Sequence, residues 1–144
     1  MRLLEEIEKA LTPDYFRDDF QRQMLRHDLG AVSKFTRVYA DPALGKYIKR
    51  EGLQVSDEAY ERAYDSTSEV FIEQLRAQDE IKAYDEPIVY RKRVEGRIIN
   101  DWESLIEYTH DMMDAVSPGS IEEEWVERVC APIWRANHII NGGM

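Results

Sequence analysis

Apolar positions recur along this chain at the three- and four-residue spacing of helices that face a core. Leu3, Leu4, Ile7 and Leu11 form the first such stripe. Thr12-Pro13-Asp14 then reads as an N-cap, a proline at the first helical position and an acid in the first turn. The helix opened there places Phe16, Phe20 and Met24 on one face, and Gly30 is set to stop or bend it. Val32, Phe35, Val38 and Tyr39 make a short segment. Asp41-Pro42 repeats the cap-plus-proline signal. It predicts a short helix carrying Leu44, Tyr47 and Ile48, with Gly52 as its closing glycine.

Ser56-Asp57-Glu58 opens a longer helix whose inner face is expected to hold Tyr60, Tyr64, Thr67, Phe71 and Leu75. Asp85-Glu86-Pro87 marks the next start. Val94, Ile98, Trp102, Leu105, Thr109, Met112 and Val116 alternate by fours and threes, the pattern of a bundle helix. Gly96 weakens that helix by roughly 1 kcal/mol against alanine. Ser117-Pro118-Gly119 is a turn, and Ser120 with Glu123 is a capping box. The last helix carries Trp125, Val129, Ile133, Ala136 and Ile140, with Pro132 an interior kink and Asn141-Gly142-Gly143 a frayed end. No alternating Val/Ile/Thr-rich run competes as a strand. The expectation is an all-α single domain over residues 1–144. It is a bundle of six or seven helices with long core helices near 57–83, 87–116 and 120–140.

Composition narrows the class. At 144 residues with 43% apolar positions, the chain can bury a core without metal or disulfide support. The lone cysteine, Cys130, forbids an internal disulfide, suits a reducing compartment and reads as a small core residue. There is no 18-residue apolar run and no signal-peptide pattern, so a cytoplasmic protein without a transmembrane segment is expected. The charge is uneven, +2 over residues 1–50, −5 over 51–100 and −7 over 101–144. The acidic part repels phosphate, so direct nucleic-acid binding is not expected.

Motifs with chemistry are few. Glu107-Tyr108-Thr109-His110 has the Glu-x-x-His spacing of di-iron bundles, but such a site needs two copies. Neither His27 nor His138 has a glutamate three residues before it, because those positions are Met24 and Arg135. A single-metal set of Glu103, Glu107, His110 and Asp114 shares one face, and reads more simply as a solvated stripe. Arg91-Lys92-Arg93 with Arg97 is the densest basic patch, at an expected helix start where the macrodipole disfavours cations. It is the first candidate for a partner-binding surface, together with Tyr84 and Tyr90, which flank Pro87 and are expected to be exposed. His27 with Asp28, and Asn137 with His138, read as helix-end polar groups. No phosphate loop, nucleophile elbow or paired Cys-x-x-Cys occurs.

Two stretches, Val38-Tyr39-Ala40-Asp41-Pro42-Ala43-Leu44 and Asn100-Asp101-Trp102-Glu103-Ser104-Leu105-Ile106, are followed by a turn and a Trp-bearing helix over 117–134. That order resembles a group of uncharacterised bacterial all-helical domains of unknown function, many tethered by an N-terminal transmembrane helix. The resemblance spans about residues 31–136, and the chain departs from it by lacking the anchor. It implies a helical fold and no particular activity.

The resulting expectation is a non-enzymatic helical protein–protein interaction module with no cofactor, bound to a protein partner or to itself. One alternative is an acidic mimic that occupies a nucleic-acid-binding protein, which requires carboxylates in an unpaired row. Another is a metal-dependent helical enzyme built on Glu103, Glu107 and His110.

Overall fold

The computed structural model describes residues 14–143 except 87, 89, 91–93, 95 and 96, with side chains from residue 19 onward. Four helices are present among the described residues: α1 Asp14–Glu51, α2 Asp57–Ala83, α3 Trp102–Ala115 and α4 Ile121–Ile140. α2 packs on α1 and on α4, and α3 packs on both α1 and α4, closing a four-helix ring. The expected stripe over residues 3–11 and the Thr12-Pro13 start lie outside the described residues.

The bundle corrects the expected six or seven helices to four, chiefly because α1 runs unbroken for 38 residues. Gly30 does not stop it. Its φ is not positive, and Leu25, Leu29 and Val32 are buried around it, which outweighs a glycine cost of about 1 kcal/mol. Pro42 lies inside α1 and starts no helix. It deprives only the Val38 carbonyl of its partner, and both Val38 and Pro42 are exposed, so water can take that carbonyl. Asp41 caps nothing. Its backbone carbonyl and its carboxylate both accept from the Tyr60 hydroxyl on α2.

α1 does end at the expected glycine. Gly52 has φ +64°, its N–H reaches the Lys49 carbonyl, and the Leu53 N–H reaches that of Ile48 at 3.0 Å. This is a Schellman closure. The chain's last helix ends the same way, with Gly142 at φ +93° and the Gly143 N–H on the His138 carbonyl at 2.7 Å. The segment expected to fray is therefore hydrogen-bonded through Gly143.

The expected helix near 87–116 is also corrected. α3 begins only at Trp102, because Asp101 caps it: the Asp101 carboxylate accepts from the Ser104 N–H at 2.7 Å. In return the Ser104 hydroxyl accepts from the Asn100 and Asp101 N–H groups. Residues 97–100 are non-helical, and Tyr90 forms an antiparallel bridge with Val116. Ile98, expected on the core stripe, is 76% exposed. Pro87 and Gly96 lie outside the described residues. The other two long helices fall where expected. α4 starts at Ser120, whose hydroxyl accepts from the Glu123 N–H, while the Glu123 carboxylate accepts from the Gly119 N–H instead of closing on Ser120.

Burial on α2 is rotated from the expected face. Ala63, Ser66, Thr67, Val70, Gln74, Ala77 and Ile81 point inward, while Tyr64 and Leu75 are exposed. Phe20 on α1 is exposed as well. The small residues let α2 approach two neighbours closely, so the inner face is marked by size more than by hydrophobicity. Trp102 and Trp125 are fully buried and Trp134 half-buried, as packing residues should be. Their indole N–H groups tie the helices together: Trp102 to Asn137, Trp134 to Thr109 and Trp125 to Glu80, at 2.8–2.9 Å. No helix among the described residues is long and apolar enough to cross a membrane.

Candidate binding groove

The feature with most chemical content is built on α1. Asp28 sits between Leu25, Leu29 and Val32 on the buried face and is 1% exposed. A carboxylate there is costly without donors. Two tyrosines supply them: the Tyr90 hydroxyl donates to Oδ2 at 2.6 Å and the Tyr108 hydroxyl to Oδ1 at 2.9 Å. His27 Nδ1 lies 3.5 Å from Oδ1. Tyr90 is held in turn by its backbone N–H, which donates to the Gln21 side chain at 2.6 Å. The network joins α1, α3 and the connection before α3.

Above it lies a cleft of about 510 Å³ on α1, with Phe35, Val94, Ile99 and Tyr108 in its walls and Lys34 and Arg97 at its edge. A second cleft of about 350 Å³ continues from it toward the C-terminal end of α1, where Lys46, Tyr47, Arg50 and Trp102 join the lining. Phe35, Tyr39 and Ile99 belong to both clefts. The α1 wall is thus one stripe: Asp28, Ala31, Phe35, Tyr39, Pro42, Lys46 and Arg50, at steps of three and four. It spans about 33 Å at 1.5 Å per residue. Its lining carries the cations Lys34, Lys46, Arg50 and Arg97 against two carboxylates, Asp28 and Asp101. Both carboxylates are structural. Asp28 serves the tyrosine pair. The Ser104 N–H and hydroxyl, with Arg50 beside them, hold Asp101 below the usual aspartate range.

The sequence-predicted residues divide. Arg97 lines the groove, where it bridges to Asp111 at 2.8 Å and Glu107 at 3.7 Å. Tyr90 is buried behind the wall and not exposed as expected. Tyr84 is partly buried, edge-on to Trp125, with its hydroxyl on Glu86. Arg91, Lys92 and Arg93 lie outside the described residues. Of the metal candidates, Glu103 pairs with Arg50 at 2.9 Å, Glu107 with Arg97, His110 stacks on Trp134, and Asp114 is exposed. Among the described residues no group of three or more His, Cys, Asp or Glu side chains could hold a metal ion. Cys130 is fully buried, and burial alone pushes its thiol far above the ordinary range, so it is no nucleophile.

Several carboxylates of the acidic half are paired. Arg135 meets Glu69 at 2.8 Å, Arg76 meets Glu73 at 3.0 Å, and Arg128 meets Glu80 at 3.0 Å. Arg128 and the Trp125 N–H together hold the Glu80 carboxyl below the usual range. These carboxylates stitch α2 and α4 and do not form an open row. Asp28, expected with His27 to be a helix-end polar group, lies instead mid-helix on the buried face of α1. Its signal was an acid in register with Leu25, Leu29 and Val32.

Compared with family models, with curated proteins and with solved structures, the chain matches none of them. The likeness of residues 31–136 to helical bacterial domains gains neither support nor contradiction there.

Proposed function

We propose that this chain is a non-catalytic helical interaction module whose recognition surface is the α1 groove, and that its partner presents an acidic segment with aromatic or aliphatic side chains. The observation that carries this reading is the continuity of the two clefts through Phe35, Tyr39 and Ile99. Together they offer a groove long enough for about ten residues of extended chain, at 3.3 Å each, with an apolar floor along its Ala31–Pro42 part. Tyr39 and Ile98 are exposed beside that floor, the kind of apolar group that anchors a partner. Lys34 and Lys46 at its rim are exposed and in no ion pair among the described residues, and they favour an acidic segment, while Arg50 and Arg97 are already held by the protein's own acids.

The titratable groups support binding over catalysis. Asp28 accepts from two tyrosine hydroxyls, Asp101 serves a helix cap, and Cys130 is sealed in the core. The pairing of Glu69, Glu73 and Glu80 with arginines removes those three acids from the unpaired row that the nucleic-acid-mimic alternative needs.

The test is fluorescence anisotropy with two labelled ten-residue peptides, one alternating glutamate with leucine and tryptophan, the other with lysine in place of glutamate. The acidic peptide should bind, and Lys34→Glu with Lys46→Glu should weaken it at least tenfold while leaving the circular dichroism spectrum unchanged. Equal binding of both peptides, or indifference to the two substitutions, would sink the proposal.

A further inference from the structure

The groove ends in a blind cleft. Its narrower part, about 350 Å³, lies between the C-terminal half of α1 and residues 99–102. At the near end it opens into the wider cleft through Phe35, Tyr39 and Ile99. At the far end Arg50 crosses from α1 to the start of α3, with Nη2 on the Glu103 carboxylate at 2.9 Å and Nη1 3.7 Å from Asp101 Oδ2. The same guanidinium lies 5.8 Å from the centre of the Tyr47 ring. The Tyr47 hydroxyl donates in turn to Asn141 at 3.3 Å. Four aromatic residues, Phe35, Tyr39, Tyr47 and Trp102, line the blind cleft together with Pro42 and Ile99.

We infer that this cleft is the anchor pocket of the groove, filled by one tryptophan side chain of the partner, with a neighbouring acid of the same segment on Lys46. The inference rests on the groove being the recognition surface, and adds which partner residue is read there. Size is the first argument. Benzene fills an apolar cavity of about 150 Å³, so this cleft exceeds one ring and suits the two fused rings of an indole. The second is the polar handle, since a buried indole N–H requires an acceptor. Asp101 Oδ1 is committed to the Ser104 N–H at 2.7 Å. Oδ2 has Arg50 at 3.7 Å, beyond hydrogen-bond range, and is open to an N–H donor. Leucine and phenylalanine bring no such donor. An acidic side chain would face Asp101, and a basic one would face Lys46 and Arg50. Lys46 is exposed at the rim, where it can meet an acid beside the anchor.

The test uses the full chain and labelled ten-residue peptides that carry a single tryptophan among glutamate and leucine. Replacing that tryptophan by leucine should weaken binding about tenfold or more, with phenylalanine and N1-methyltryptophan in between. Tyr39→Ala, at an exposed position, should keep the helicity and erase the preference for tryptophan over leucine. Intermolecular nuclear Overhauser effects should run from the peptide indole to Pro42, Tyr47 and Ile99. If the acidic peptides bind but leucine serves as well as tryptophan, the groove reading stands and the anchor is overturned. Contacts from the indole to Val94 and Tyr108 in the wider cleft, or a preference that survives Tyr39→Ala, overturn the anchor in the same way. N-acetyltryptophan bound as tightly as the peptide overturns it too, and gives the cleft to a small aromatic acid. Failure of every peptide to bind overturns the groove reading and the anchor together.

Discussion

Replacing Tyr108 by phenylalanine removes one oxygen and tests whether Asp28 depends on its hydroxyl donors. The Tyr108 hydroxyl donates to Asp28 Oδ1 at 2.9 Å, and both residues are buried, at 4% and 1% exposure. The ring stays, so packing is preserved and no cavity opens. What is lost is a hydrogen bond to a charged group in a poorly solvated place, worth about 1.5–3 kcal/mol. Surface substitutions shift stability by no more than about 0.5 kcal/mol. Tyr108→Phe is therefore expected to cost about 2 kcal/mol, or roughly 4–8 °C in Tm for a domain of this size. Urea denaturation should show a lower midpoint at unchanged slope. Tyr90→Phe should behave alike, and the double variant should depart from additivity because the two donors share one acceptor. A Tyr108→Phe chain within about 0.5 kcal/mol of wild type would refute the assignment.

Three further outcomes follow from the fold. Pro42→Ala restores an interior helical N–H, so it should stabilise the chain by about 1–2 kcal/mol in urea melts; a loss of stability would mean that a helix starts there. Cys130 should resist a thiol reagent in the native state and react fully in denaturant; rapid native labelling would contradict its burial. The Tyr60 hydroxyl is pushed up to about 12 by burial and by its bond to Asp41. Folding thus favours its protonated form, and that share of stability holds below the unfolded value of about 10 and is lost as pH rises through 12. Ultraviolet titration should show a late-ionising group of tyrosines, and Tyr60→Phe should remove one tyrosine from it.

The sequence revealed helix type better than helix number. Ser56 and Ser120 are caps in both readings because their hydroxyls have a free N–H to satisfy. Pro42 misled because an exposed proline is tolerated inside a helix whose other face is well buried. The start of α3 was written in Asn100-Asp101-Trp102-Glu103-Ser104. It was overlooked because Val94 and Ile98 happened to extend the apolar period upstream. The α2 face was misjudged because Ala63, Ser66 and Ala77 carry little hydrophobicity and are buried for their size. The groove was legible only through Arg97. Its floor depends on where residues 97–100 leave the helix pattern, and its buried acid depends on tyrosines 62 and 80 positions away.

The central claim is that the α1 groove is the recognition surface. A ¹⁵N-labelled chain titrated with the acidic leucine- and tryptophan-bearing peptide tests it most directly. Saturable amide shifts should cluster at Phe35, Tyr39, Lys46, Ile99 and Trp102 and leave α2 unmoved. Shifts confined to α2 or α4, or none at millimolar peptide, would contradict it.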